Sequence, residues 1–396
     1  MAKTPRKSKK GKKVRVDMRP NRGVTPRDRS WTRQYRQHGF EPETESPDQP
    51  PDPVADERVA HKGAHSRRRT VVIDDVEAPS LDDPAVRGGV VTMVRGPWVE
   101  VDDDAGRGWR CTVRRLLRTR LIEQRTPLVV GDRVRFRVVA DRPGVEREAV
   151  IEHVGPRHGL LARTSRGREH LIAVNVDQAL IVTSIAEPRL KPHLIDRYIV
   201  AAEHGGIPPV VCFNKVDLDT EGSFAEVRAG YEAIGYRTLA TSATSPMSID
   251  ALADVLRDRK TVLAGQSGVG KSTLLNALQP DLGLKTAPVS RYDEKGRHTT
   301  TTAQLLRLAI GGYVVDTPGV RQLELGRIEC GQIEACFVEF APLVPDCAFA
   351  DCTHRHEDGC AVQQAVEAGA ISPQRYLSYV TLFEEMLERG PQDRPT

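Results

Sequence analysis

The sequence has no apolar run approaching the roughly 18 residues of a membrane-spanning helix, and its first residues, MAKTPRKSKKGKKVRV, contain no apolar signal core. The expectation is therefore a cytoplasmic protein without a membrane partner. Cysteine is scarce, with seven in 396 residues, an odd number. In a reducing compartment this argues against a disulfide framework and for metal ligation where cysteines cluster. Internal repeats are absent. Acidic residues are scarce at one end: residues 1–40 hold 14 Lys and Arg against two Asp, so the rest of the chain is net acidic although the total is +4. Such an arm, with Trp31 and Tyr35 interleaved, suits a polyanion such as RNA, or else is simply a solvated terminus.

What is present divides the chain. At about 150 residues per domain, two or three domains are expected. Residues 1–85 read as a basic arm and a linker, because EPETESPDQPPDPVADE at 41–57 is rich in Pro and acid with almost nothing apolar. From residue 86 the texture alternates with period two: GVVTMV at 89–94, WVEVD at 98–102, WRCTVRR at 109–115 and GDRVRFRVV at 131–139. That pattern predicts a small antiparallel β-barrel over 86–165, of which the OB-fold is one form. From residue 172 the pattern is α/β. QALIVTS (178–184), PPVVCFN (208–214) and KTVLAG (260–265) read as buried parallel strands, with a helix over 194–205.

The third of these strands runs into GQSGVGKST at 265–273, which fits Gly-x-x-x-x-Gly-Lys-Ser at Gly265, Gly270, Lys271 and Ser272. Backbone N–H groups of this turn, with Gly268 and Thr273 inside the motif, would cradle phosphate oxygens. Lys271 would reach the β- and γ-phosphates and Ser272 would ligate Mg²⁺. VVDTPG at 314–319 supplies Asp316, which could hold Mg²⁺ through water, and Gly319, whose N–H could sense the γ-phosphate. In GRHTTTTAQ between them one threonine would close on Mg²⁺, and we take Thr300 as that residue. A Thr run is also simply β-prone. Earlier in the chain NKVD provides Asn214 for the base edge, Lys215 along the ring and Asp217 for guanine N1–H and N2–H. TSA at 241–243 adds Ser242 and the N–H of Ala243 for the guanine O6. This donor and acceptor pattern favours GTP over ATP. The base loops precede the phosphate loop, the reverse of the ordinary GTPase order, so the domain is circularly permuted.

In this order, NKVDL, TSA, GQSGVGKST, GRHTTT and DTPGV, with VGDRV before them and a Cys/His cluster after, the chain resembles the circularly permuted, ribosome small subunit-dependent GTPases of bacteria. The resemblance covers residues 86–390 and leaves the long arm uncovered. It implies an N-terminal OB-fold, a central α/β P-loop GTPase domain over 172–328 and a C-terminal, mainly helical zinc-binding domain over 329–396. The implied function is late maturation of the small ribosomal subunit, with rRNA as partner, no DNA, a monomeric protein and hydrolysis stimulated by the subunit. The cluster CAFADCTHRHEDGC offers Cys347, Cys352, His354 and Cys360, three thiolates and an imidazole that suit a closed tetrahedral Zn²⁺ site. His356 is an alternative fourth ligand, and the resemblance selects His354. Cys111, Cys212, Cys330 and Cys336 read as buried small hydrophobes. Val320 stands where some GTPases carry a water-orienting Gln, so slow intrinsic turnover is expected. The resemblance permits His298 to position the water instead, and a solvent-exposed loop residue is the other reading. The competing function is an RNA-binding scaffold that senses GTP and GDP with little turnover.

Overall fold

The structure is a computed structural model that describes residues 12–17, 68–73, 83–114, 117, 128–141, 146–165, 168–219, 222, 224–284, 303–316 and 328–389. Within the stretch expected as arm and linker, strands β1 (Lys12–Asp17) and β2 (Arg68–Ile73) form an antiparallel ladder. The sequence reading gave this stretch no regular structure.

Five strands make the barrel: β3 (Val86–Arg95), β4 (Trp98–Asp103), β5 (Gly108–Val113), β6 (Arg133–Ala140) and β7 (Glu148–Val154). Their order is β3-β4-β5-β7-β6, and β6 pairs back onto β3 to close the ring, with β5 and β7 parallel and the other pairs antiparallel. This is the five-stranded closure of an OB-fold. The alternating positions point as their period requires: Val99 and Val101 of β4 and Val134 and Phe136 of β6 face inward onto Trp109, Cys111 and Ile151. An antiparallel hairpin, β8 (Leu161–Ser165) and β9 (Arg168–Ala173), follows. At the junction with the next domain the fully buried Asp132 carboxylate takes a fork from Arg157 at 2.6 and 2.7 Å, and Asn175 Nδ2 donates across it to the Gly131 carbonyl at 2.9 Å.

The second domain is a doubly wound sheet of β10 (Gln178–Ser184), β11 (Pro209–Asn214), β12 (Arg237–Thr241), β13 (Lys260–Ala264), β14 (Gln304–Arg307) and β15 (Tyr313–Asp316). The order is β12-β11-β10-β13-β15-β14, parallel except for the β14–β15 pair. Strand β10 is buried on both faces, which is why it reads as a continuous apolar run rather than an alternating one. Ala179 and Ile181 face helices α1 (Pro192–His204) and α2 (Phe224–Ala233). Leu180 and Val182 face α3 (Pro246–Leu256) and α4 (Lys271–Leu278). The α1 face also receives the C-terminal domain, built on α5 (Cys330–Ala335), α6 (Ala361–Glu367) and α7 (Pro373–Arg389). Phe337, Phe340, Tyr379, Leu382 and Phe383 extend one apolar cluster from that domain to α1.

Candidate nucleotide and metal sites

Strands β10, β11 and β13 all end at one edge of the sheet, the edge where open α/β sheets bind ligands. The phosphate loop leaves β13 there and turns into α4. Gly265 and Gly270 have φ of +139° and +97°, a region that L side chains rarely adopt. A Cβ at Gly265 would come within 2.1 Å of the Val182 carbonyl, and one at Gly270 within 2.4 Å of Asn214 Nδ2. Both glycines are therefore demanded by backbone shape and by close approach. Gly268 also has positive φ, at +82°. Lys271 Nζ bridges the mouth of the loop, donating to the carbonyls of Gly265 at 2.7 Å and Gln266 at 2.8 Å. Ser272 and Thr273 lie in the first turn of α4, Ser272 half-buried and Thr273 exposed. Asp316 ends β15 one strand away, half-buried, and its Oδ2 accepts from Gln304 Nε2 at 3.2 Å.

The base loop leaves β11. Asn214 is only 2 % exposed, and both ends of its amide have protein partners. Nδ2 donates to the Val269 carbonyl of the phosphate loop at 2.8 Å, and Oδ1 accepts from Thr241 Oγ1 at 3.1 Å. The residue joins the two loops. A primary amide suits this place because it carries both a donor and an acceptor. Thr241 also contacts the Cys212 sulfur at 3.2 Å, and complete burial pushes that thiol up to about 12, leaving it inert. Lys215 is in the left-handed region, φ +63°, with its stem beside Gly270 and its ammonium donating to the Glu187 carbonyl. Asp217 lies exposed on the single turn that follows. Ser242 is buried with its Oγ 2.7 Å from Thr244 Oγ1, and Ala243 is half-buried beside it. His298, Thr300 and Gly319 fall outside the described residues. The roles of Thr241 and of the Val269 carbonyl were not foreseen although both lie inside quoted motifs, and nothing local in the sequence marks the Glu187 carbonyl.

In the C-terminal domain the ligand atoms of Cys347, Cys352, His354 and Cys360 all lie within 4.8 Å of one another. His354 Nδ1 is 3.3 Å from the Cys360 sulfur and 3.6 Å from that of Cys347. Its other nitrogen, Nε2, is 3.2 Å from Glu334 Oε2, which orients the ring and fixes Nδ1 as the inward atom. His354 adopts φ +56°, and its carbonyl is held by the Tyr376 hydroxyl at 2.8 Å. These four residues can hold a metal ion, and the three-sulfur, one-nitrogen set fits the group expected there. His356 is exposed and stands outside the cluster, while Cys336 instead donates to the Gln332 carbonyl.

Sheet order, phosphate loop and base loop define a circularly permuted P-loop protein of the GTPase class, carrying an OB-fold before it and a Cys/His cluster after it. The family model for the RsgA GTPase matches residues 154–326. A Gemmatimonas aurantiaca protein named small ribosomal subunit biogenesis GTPase RsgA is 42 % identical over 306 residues, 76 % of this chain and 98 % of that one. A Chromohalobacter salexigens protein of the same name is 41 % identical over 80 % of this chain and 91 % of its own. Among solved structures, YjeQ from Thermotoga maritima superposes with a TM-score of 0.62 at 37 % identity, covering 76 % of this chain and 99 % of that one. YloQ, described as a circularly permuted GTPase, superposes with a TM-score of 0.63 at 28 % identity, covering 80 % of this chain and all of that one. The chain belongs to the RsgA GTPase family.

Proposed function

We propose that this protein hydrolyses GTP and acts in late maturation of the small ribosomal subunit, as a cytoplasmic monomer that binds the subunit and its rRNA in the GTP state. The observation that supports the nucleotide part is the Asn214–Val269 hydrogen bond, which joins a guanine-type base loop directly to a phosphate loop. The subunit part rests on what the relatives' names say of them. In this reading Asp217 accepts from guanine N1–H and N2–H, with Ser242 and the Ala243 N–H at O6. Lys271 and the N–H groups from Gly265 to Thr273 hold the phosphates, and Gly319 senses the third. Ser272, Thr300 and, through water, Asp316 hold Mg²⁺, which when bound offsets phosphate charge. His298 positions the attacking water. Cys347, Cys352, His354 and Cys360 hold one structural Zn²⁺ that keeps the C-terminal domain folded.

The test is GTP hydrolysis by the purified protein alone, with small subunits and with large subunits. A large rise confined to small subunits is expected. No rise with either would favour a scaffold that senses nucleotide, and an equal rise with both would remove the subunit assignment.

A further inference from the structure

An arginine stands where the C-terminal domain meets the GTPase domain. Arg375, in the first turn of α7, is 6 % exposed, and Asp196, in the middle of α1, is fully buried. Arg375 Nη1 donates to Asp196 Oδ1 at 2.7 Å, while Nε and Nη2 form a fork onto Glu339 at 2.7 and 3.1 Å. The guanidinium lies over the Phe337 ring, 4.5 Å from its centre. A buried ion triad of this kind adds little net stability over apolar packing, but the fork onto Glu339 fixes the guanidinium plane within the C-terminal domain, and its remaining Nη1–H then reaches Asp196 in only one relative placement of the two domains.

Contacts continue from the triad in both directions. On one side the Tyr231 hydroxyl donates to the same Asp196 oxygen at 2.7 Å, and the Tyr231 ring meets Phe213 with centroids 6.5 Å apart. Phe213 directly precedes Asn214, whose amide holds the phosphate loop. On the other side Phe337 stacks on Phe340 at 5.3 Å, and Phe340 stands edge-on to the ligand His354 at 5.9 Å.

We propose that Arg375 is a positioning residue that couples the Cys/His cluster to the nucleotide site, so that metal binding in one domain and guanine-nucleotide binding in the other favour each other. The inference rests on the nucleotide reading given above. Metal fixes the 347–360 loop and with it His354, Phe340 and the seat of Arg375. Without metal the triad loses its single placement, Asp196 loses its partner, and the Phe213–Asn214 end of β11 is held less firmly against Val269. Linkage then requires the reverse effect, of nucleotide on metal affinity, by the same factor.

The experiment uses the full chain, zinc-loaded and after chelation, titrated with a fluorescent GDP derivative. In the wild type, GDP affinity should fall at least about fivefold on metal removal, and saturating GDP should raise zinc affinity in a chelator competition by the same factor. The triple variant Asp196→Asn, Glu339→Gln, Arg375→Met removes all three charges together. It should still bind both ligands, with the factor reduced below about twofold, the range of independent sites. A merely structural role would lower its melting temperature and leave the factor intact, which overturns the proposal. Equal GDP affinities in loaded and metal-free wild type also overturn it. Should the triple variant not fold, Asp196→Leu keeps the Arg375–Glu339 fork and removes the one Arg375 bond that crosses between the domains, and an undiminished factor there is equally decisive against the coupling. Failure of the zinc-loaded wild type to bind GDP at all would instead sink the nucleotide reading.

Discussion

Asn214 and Asp217 belong to one four-residue motif, yet the structure gives them different work, and their substitutions should separate cleanly. Asn214→Ala removes the donor to the Val269 carbonyl and the acceptor of the Thr241 hydroxyl in a site that water does not reach. Each polar group orphaned in such a place costs about 1–3 kcal/mol. Thr241 keeps its contact with the Cys212 sulfur, a weak partner, so the expected loss is about 2–3 kcal/mol in total. The same bond sets the spacing between the base and phosphate loops. If about 1–2 kcal/mol of this loss falls on the nucleotide complex, GDP affinity drops about 5–30-fold. Asp217 is exposed, so Asp217→Asn should change stability by less than about 0.5 kcal/mol. It replaces an acceptor-only carboxylate with an amide that can donate toward the C2 oxygen of xanthine, and preference should move from GTP toward XTP. Urea unfolding followed by circular dichroism, with GDP, GTP and XTP titrations of each variant, reads all of these quantities. Unchanged GDP affinity and stability in Asn214→Ala would refute the bridging role, and retained GTP preference in folded Asp217→Asn would refute the base-loop assignment.

Gly270→Ala should abolish nucleotide binding, because positive φ and a 2.4 Å approach to Asn214 act together, whereas Gly283→Ala, at φ +56° with open space around it, should bind normally at a small cost in stability. Equal binding by the two variants would show that the close approach does not matter. Cys352→Ser should release the metal and loosen residues 345–360 while leaving the barrel folded, which metal analysis and hydrogen exchange will show; full metal retention would count against the four-ligand set. In the barrel, burial alone would raise the Asp103 carboxyl, but the Arg107 N–H, the Trp109 indole and the Arg107 guanidinium outweigh it and hold the group below the usual carboxylate range. The stability it contributes is therefore complete above the unfolded carboxylate value of about 3.9 and is lost as pH falls through the lower folded value. Trp109 fluorescence during acid titration should show this loss, and Asp103→Asn should give a less stable barrel with a flatter acid limb.

Legibility in the sequence followed range along the chain. The phosphate loop was readable because every group it needs lies within nine residues and between a recognisable strand and helix. The permutation was readable because the order of motifs is itself sequence information, and the sheet order β12-β11-β10-β13-β15-β14 agrees with it. Four barrel strands were visible as alternating stretches. The fifth, EAVIEHV, was missed: its facing strand β6 shifts register twice against it, and a short mixed stretch that closes a ring takes its identity from those neighbours. The bonds of Asn214 to the Val269 carbonyl and the Thr241 hydroxyl were not legible, since a motif specifies that an amide is needed and not which protein groups it will meet. The Asp196–Arg375 pair spans 179 residues and left one local trace, an acid inside the otherwise apolar buried face of α1. A carboxylate in that position requires a cation from elsewhere in the fold.

Permutation changes what the two ends of the GTPase domain can carry. Among the described residues the strand bearing Asp316 is the last of the sheet in chain order, so the segment that follows it leads by the covalent path into the C-terminal domain. The buried triad gives that same domain a second attachment, to α1 and through Tyr231 to the base strand. The chain leaves the sheet from β15, next to the strand that feeds the phosphate loop, while the triad and the apolar cluster attach the C-terminal domain to α1 and to the strand that ends at Asn214. A domain tethered only by the chain could swing about it, while one also packed on α1 moves with the base side of the site. The Asn214–Val269 bond is the direct link between that side and the phosphate loop. Weakening it should therefore reduce the effect of GTP against GDP on small-subunit affinity more than it reduces GTP binding itself. Asn214→Ser, which keeps a small polar group, should show that order when subunit affinity is measured at one fixed salt concentration with saturating nucleotide. A variant that binds GTP less tightly but keeps the full GTP-to-GDP difference in subunit affinity would mean that the covalent path alone transmits the state of the nucleotide.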